Sequence, residues 1–211
     1  RRHTRYISVT GVQTCALPIF SSSLFPIIGL ISSRPDNDTN NVLRSIAEDN
    51  HDNSVRISIH PDQFNVLASK NNEAIRKTIV ELTEHGWLMD MIGTSQSYHN
   101  PMNIHVNCSD GDPKEISERF MYFLNLCLPS VKNRLVVENE DKGIWNVETL
   151  YNYFYVPYGI PITFDNLHHK CNPGSLSEQE AMSICASTWG DYKPLFHYSE
   201  SDPNKIGRAH V

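Results

Sequence analysis

Histidine and carboxylate side chains recur in this chain at the ends of short β-branched stretches. VRISIH closes on His60, MNIHVN carries His105, RLVVEN carries Glu138, PITFDN carries Asp165 and PLFHYS carries His197. Imidazole and carboxylate together suit Zn²⁺, Mn²⁺ or Fe²⁺, and carboxylate with water favours the harder ions. Any one of these residues, alone at a strand end, has an ordinary structural explanation. The set does not, because carboxylates gathered in one place repel unless a cation compensates them. In DNLH a carboxylate at a strand end, Asp165, is followed three residues later by His168, so the two can reach one ion or two adjacent ones. His169 would point elsewhere, as a supporting or surface group. Glu138 shares the inward parity of Val136, whereas Glu140 and Asp141 are expected in the loop beyond, facing solvent. His51, His85 and His99 lie away from strand ends and read as surface residues.

Side chains so far apart in sequence meet only if their strands end on one face. Segments of helical length separate the five stretches. Val42–Glu48 has Leu43 and Ile46 on one side, and 71–91 has Ile75, Ile79, Leu82 and Trp87 near helical spacing with Gly86 as a weak point. Asp112-Pro113 is a cap followed by a first-turn proline, opening a helix to about Leu128. Val147–Tyr155 is aromatic and helical, with Tyr151, Phe154 and Tyr155 read as core. Ser177 with Glu180 forms a capping box for a helix to Thr188. Strict alternation with nearly continuous apolar strands predicts an α/β fold with a buried parallel sheet. No glycine-rich phosphate loop follows any strand, while ligand-type side chains end several of them. This favours a (β/α)8 TIM-barrel type over a doubly wound sheet. Counting Phe20–Ser22 as a stub, six strands of the expected eight are found, so the barrel reads as incomplete, lacking about the first and last strands. Those two are neighbours in a closed barrel.

The chain has 211 residues, enough for one domain with a sizeable core. Gly11–Ile19 (GVQTCALPI) and Ile206–Val211 (IGRAHV) back-translate to strings that look like two orientations of a sequencing-library adapter. Residues 1–19 and 206–211, with His3, Cys15 and His210, are therefore set apart from a domain expected over residues 20–205. The formal charge of −6 becomes −10 once Arg1, Arg2, Arg5 and Arg208 are removed. Such a balance fits ordinary solubility or carboxylates concentrated at a cation site, and nucleic-acid binding would need a local basic groove or bound metals. Cys108, Cys127, Cys171 and Cys185 form no C-x-x-C pair, which fits reduced thiols. The apolar stretch 24–31 is broken by Pro26 and Gly29 and falls short of a membrane span. The expectation is a cytoplasmic protein with no membrane contact, no implied protein partner and a monomeric state.

Taken in order, SSSLFP, RISIHPDQF, NIHVN, VVENED, ITFDNLHH and FHYSES resemble the UV damage endonucleases, metal-dependent barrel enzymes of alternative excision repair. The resemblance covers essentially residues 20–202. It implies a cluster of two or three divalent metals, usually taken as Mn²⁺ with Zn²⁺ or Mg²⁺ as other candidates, and hydrolysis of the phosphodiester 5′ to a photoproduct in UV-damaged double-stranded DNA. Carried over residue by residue, the metal ligands would be His60, His105, Glu138, Asp165, His168 and His197, with Glu138, Asp165 and His168 as catalytic residues. Gln63 and Phe64 would match the pair that probes the lesion, where Phe64 replaces a common tyrosine and keeps stacking without the hydroxyl. A multi-metal site suits the reaction, since an activated water and charge neutralisation on both oxygens are needed together. A crosslinked pyrimidine pair stacks poorly and is extruded at lower cost, so an amide and an aromatic wedge can fill its place.

The chain departs from the family at several points. Two residues before His197 the family carries a lysine thought to bridge metals, and this chain has Leu195, with Lys193 two residues too early. The lesion-contacting aromatic and asparagine of the first strand, and a further His and Glu after the last motif, have no counterpart. Two other readings stand beside the endonuclease. One is a different metal-dependent barrel enzyme of the abasic-endonuclease or sugar-isomerase type; the other is a non-catalytic remnant. The Gln63-Phe64 pair favours damaged DNA over the first, and bound divalent ions would separate both enzymes from the second.

Overall fold

The computed structural model describes residues 19–21, 37–53 and 56–198. In chain order the elements are β1 (Ile19–Ser21), α1 (Asn37–Asn53), β2 (Ser58–His60), α2 (Asn72–Met91), β3 (Met102–Ile104), α3 (Pro113–Leu126), α4 (Pro129–Lys132) and β4 (Leu135–Glu138). There follow α5 (Val147–Leu150), a π-helical turn (Tyr151–Tyr155), α6 (Val156–Tyr158), β5 (Ile162–Asp165), α7 (Asn166–Cys171), α8 (Glu178–Ser187) and β6 (Phe196–His197). Every neighbouring pair of strands is parallel, and the order across the sheet is the order along the chain. A doubly wound sheet reverses direction at a switch point. This one advances one way throughout, as a barrel does. His60 on β2 and His197 on β6 are four strand spacings apart, about 19 Å in a flat sheet. Their ring centroids lie only 5.6 Å apart, so the sheet curls its inner face onto itself. The fold is an incomplete TIM-type barrel with β1 and β6 at the ends of the described sheet.

Alternation along each strand sorts the side chains into two cores. Ile59, Met102, Ile104, Leu135, Val137, Ile162 and Phe164 face outward and pack under the helices with Leu82, Phe120, Leu124, Phe154 and Ala181. The inward set is smaller and polar near the mouth, with Val136, Leu195 and Trp189 forming an apolar plug inside the barrel. Leu195 is buried in this plug, so where the resemblance implies a lysine this chain has packing. Arg56, just before β2, closes the lower end. It donates to the carbonyls of His99 (2.7 Å), Tyr98 (3.4 Å) and Pro194 (3.5 Å) and lies 5.7 Å from the Trp189 ring centroid.

Three helix starts fall where the sequence puts them, whereas α1 begins at Asn37, ahead of the expected Val42, and runs on to Asn53. Asn71 caps α2, Asp112 caps α3 with Pro113 in its first turn, and Ser177 and Glu180 form the capping box of α8. Gly86 is a requirement rather than a weak point. A Cβ there would lie 2.9 Å from Ser130 Oγ, where α2 meets α4, and its carbonyl accepts from the buried Arg134. Phe154 is core, and Tyr151 and Tyr155 pack beside it, though the segment winds into a π-helical turn. The four cysteines of the described residues are unbonded. No helix among the described residues is long and apolar enough to cross a membrane. Residues 22–36, most of the adapter-like segments and the side chain of His51 lie outside the described residues.

Candidate metal centre

The register of the sheet explains how residues at unequal positions come to one level. Ile59 pairs with Met102, which sets His60 beside Asn103 rather than His105. Ile104 pairs with Val137, so His105 is level with Glu138, and Glu138 in turn pairs with Thr163. Asp165 pairs with His197. From β2 to β6 the ligand-type residues climb by two residues and then two more over four strands. That average of about one residue per strand is the stagger of an eight-stranded barrel with a shear of eight. The climb offsets the strand tilt, and His60, His105, Glu138, Asp165 and His197 lie across the barrel mouth in one layer.

Glu138 is at the centre of it and is buried. One oxygen lies 3.2 Å from His60 Nε2 and 2.9 Å from His197 Nδ1, and accepts from the Asn103 amide; the other lies 3.4 Å from His168 Nδ1. Two groups of candidate ligand atoms share this carboxylate: His60, His105 and Glu138, and Glu138, Asp165 and His168. Within each, the atoms lie within 4.8 Å of one another. The outer contacts fix ring orientation. His60 Nδ1 meets the Pro61 carbonyl at 2.9 Å and turns Nε2 inward; His168 Nδ1 meets the Asn139 carbonyl at 2.8 Å.

Asp165 serves two roles at once. Its Oδ1 accepts from the His168 amide at 2.8 Å and so caps α7, which explains why an imidazole follows it at three residues. Asn139 holds Asp165 in place by imitating a strand. Its side chain accepts from the Asp165 amide at 2.8 Å and donates to the Asp165 carbonyl at 3.0 Å. Sequence reading missed Asn139. The signal was present in its position directly after Glu138, but an amide there is indistinguishable from an ordinary strand-ending residue.

The electrostatics are those of a site made for positive charge. Burial alone would raise the pKa of Glu138, yet His197, His105 and His60 around it hold the carboxylate well below its usual range. Burial opposes the charged forms of His60 and His168, but Glu138 raises both above 6.5. Burial lowers His105 to about 4, so that ring is neutral, and its Nδ1 is buried with no hydrogen-bond partner. Asp165 is raised by burial and by the nearby charge of Glu138. A neutral imidazole with an orphaned nitrogen, beside two carboxylates in mutual repulsion, is a donor set that a divalent cation would satisfy.

The remaining expectations divide. His99 is exposed as expected, whereas His85 is buried and bonded through Nδ1 to the Glu81 carbonyl at 2.7 Å. His169 is also buried, against the Phe164 ring. Glu140, expected in solvent, is buried at the mouth, and burial raises its pKa to about 7. Its carboxylate accepts from the backbone of Val106 and Asn107, so it continues the strand pairing between β3 and β4 with a side chain. Gln63 and Phe64 are exposed beside the mouth, Phe64 to 77%. Their turn is held firmly: Asp62 accepts from the amides of Phe64 (3.0 Å) and Asn65 (3.1 Å), and Asn65 reaches Glu81 on α2 at 2.9 Å.

The sequence profile of the UV-endonuclease UvdE family matches residues 3–211. The UV DNA damage endonuclease of Clostridium perfringens is 30% identical over 162 residues, which are 75% of this chain and 38% of that protein. That of Bacillus cereus strain B4264 is also 30% identical over 162 residues, 76% of this chain and 50% of that protein. The chain thus spans between about two fifths and one half of the length of these curated relatives. The crystal structure of SacUVDE superposes with a TM-score of 0.78 at 31% identity, over 89% of this chain and 64% of that one. A D-psicose 3-epimerase from Clostridium cellulolyticum H10 shares the fold alone, with a TM-score of 0.58 at 12% identity over 86% of this chain and 62% of that one. On the profile match across nearly its whole length, this chain belongs to the UV-endonuclease UvdE family.

Proposed function

We propose that this chain is the catalytic barrel of a metal-dependent endonuclease that cleaves the DNA phosphodiester on the 5′ side of a UV photoproduct. The observation that carries the reading is the sharing of one buried carboxylate, Glu138, by two triads of ligand-type atoms. His60 and His105 with Glu138 would hold one ion, and Asp165 and His168 with Glu138 a second. His197, against the same carboxylate, would complete the set. Mn²⁺ suits this mixture of imidazole and carboxylate, and Zn²⁺ or Mg²⁺ is the alternative occupant. Bound there, divalent ions would neutralise charge on the scissile phosphate and supply an activated water.

The protein's own residues hold, orient and exclude. Glu138 remains charged through its imidazole neighbours, and the Pro61 and Asn139 carbonyls fix the His60 and His168 rings beside it. The apolar plug of Val136, Trp189 and Leu195 closes the barrel beneath. A duplex approaching a chain of formal charge −6 meets its compensation at that site rather than on the general surface. The rigid Gln63-Phe64 turn would enter the base stack where a photoproduct has weakened it. A cytoplasmic monomer acting on damaged duplex is the setting this reading carries.

Incision of an end-labelled duplex with a single cyclobutane dimer, in the presence of Mn²⁺, tests it. A cut immediately 5′ of the dimer, absent from the undamaged duplex, is expected. Cleavage of both duplexes alike, or of neither, would overturn the assignment.

A further inference from the structure

Asn107 follows β3 with a φ of 52°, and among the described residues other than glycine it alone has a positive φ. Asparagine tolerates this region better than most side chains. The conformation lets Asn107 face two ways. Its backbone N–H donates to Glu140 Oε1 at 2.7 Å, and its side-chain amide donates to the Gln63 carbonyl at 2.6 Å. Glu140 is buried in the wall of the metal centre, two residues after Glu138, whereas Gln63 precedes the most exposed aromatic of the described residues. A single residue therefore bridges the wall of the site and the turn beside it. The other bonds of the turn run to α2 or stay within it; this one ties it to the mouth.

From this geometry we infer that Asn107 is a positioning residue, one that sets the register between the Gln63-Phe64 turn and the metal centre and so governs lesion discrimination rather than bond cleavage. The inference rests on the reading of Gln63 and Phe64 as the lesion-probing pair. Its physical basis is distance. A turn free to drift would stand at the right distance from the mouth to enter the weakened stack only part of the time, so the lesion-bearing duplex would bind more weakly, while the ligands themselves kept their places. Loss of one such bond is worth about a two- to tenfold change in an equilibrium.

Asn107→Gly and Asn107→Asp both permit the positive φ and keep the backbone N–H, and both remove the side-chain donor. In the metal-loaded protein without DNA, the amides of Phe64 and Asn65 should exchange with solvent several-fold faster in both variants, with Mn²⁺ affinity unchanged. With DNA, KM for the dimer-bearing duplex should rise about two- to tenfold while kcat holds, and the preference over undamaged duplex should shrink by the same factor. Unaltered exchange would show that the tie does not hold the turn and would overturn the inference, and so would a fall in kcat at constant KM. Phe64→Ala is the control for the underlying reading. If it leaves lesion preference intact, the wedge assignment fails and takes the discriminating role of Asn107 with it, whatever the exchange data show.

Discussion

Both oxygens of Glu138 face imidazoles, and the charge they share sets how protons and cations compete for the centre. The pKa values of His60 and His168 lie above 6.5 because of that carboxylate. In the metal-free protein their protonated forms contribute stability that is full below about pH 6.5 and is lost as pH rises through the elevated values. A bound cation needs both rings neutral, so its affinity runs the opposite way. His105, at about 4, is already neutral and adds nothing to the slope near neutrality. Calorimetric titration with Mn²⁺ should therefore show tightening as pH rises from about 5.5 to 8, with up to about two protons released. Affinity independent of pH across that window would remove His60 and His168 from the ligand set. At this scale the sequence revealed which side chains meet at the mouth and little of their support. His60, His105, Glu138, Asp165 and His197 were legible because alternation fixes the face of each side chain. Asn139 and Glu140 were not, because both act by replacing backbone pairing beyond the last strand residue, and nothing in residue type says where a ladder stops.

Strands β4 and β5 have the bounds their composition predicts, since both faces are buried and all residues of each are covered. β3 was expected to run to Asn107 and ends at Ile104, where the carboxylate of Glu140 takes over the bonding of the following amides. β2 and β6 are likewise shorter than their apolar runs. Caps were read more reliably than ends, because a cap is a local bond between residues three apart, whereas α7 is six residues long and too short to show periodicity. The cap of α8 gives a quantitative test. Ser177 Oγ accepts from the Glu180 amide, and Glu180 accepts from the Ser177 amide at 2.9 Å. Ser177→Ala should lower unfolding stability by about 1 kcal/mol in urea titration. An unchanged midpoint would mean that the packing of Ala181 and Cys185 alone holds the helix to β5.

The ligand-type residues come from β2, β4, β5 and β6, from the residue just after β3 and from the first turn of α7, so a cation at the mouth would join most of the described sheet. Metal binding then adds directly to the stability of the whole molecule, by about 2.7 kcal/mol at one hundred times the dissociation constant. Thermal unfolding with and without Mn²⁺ should show the rise, and Glu138→Gln should remove most of it, since both triads lose their shared oxygen donor. An equal rise in that variant would place the ions elsewhere. The overall architecture was legible because alternation of strand and helix dictates a parallel sheet. Its stagger was not, being a property of closure rather than of any one strand. That stagger dictates what changes of length the barrel can survive. Deleting one residue within 57–59 would turn His60 outward beneath the helices, and deleting two would keep it inside but sink it by roughly 6.6 Å. Either way the cup loses a prong, so a change of length within a strand disarms the mouth, whereas one in a loop away from the mouth leaves the stagger intact.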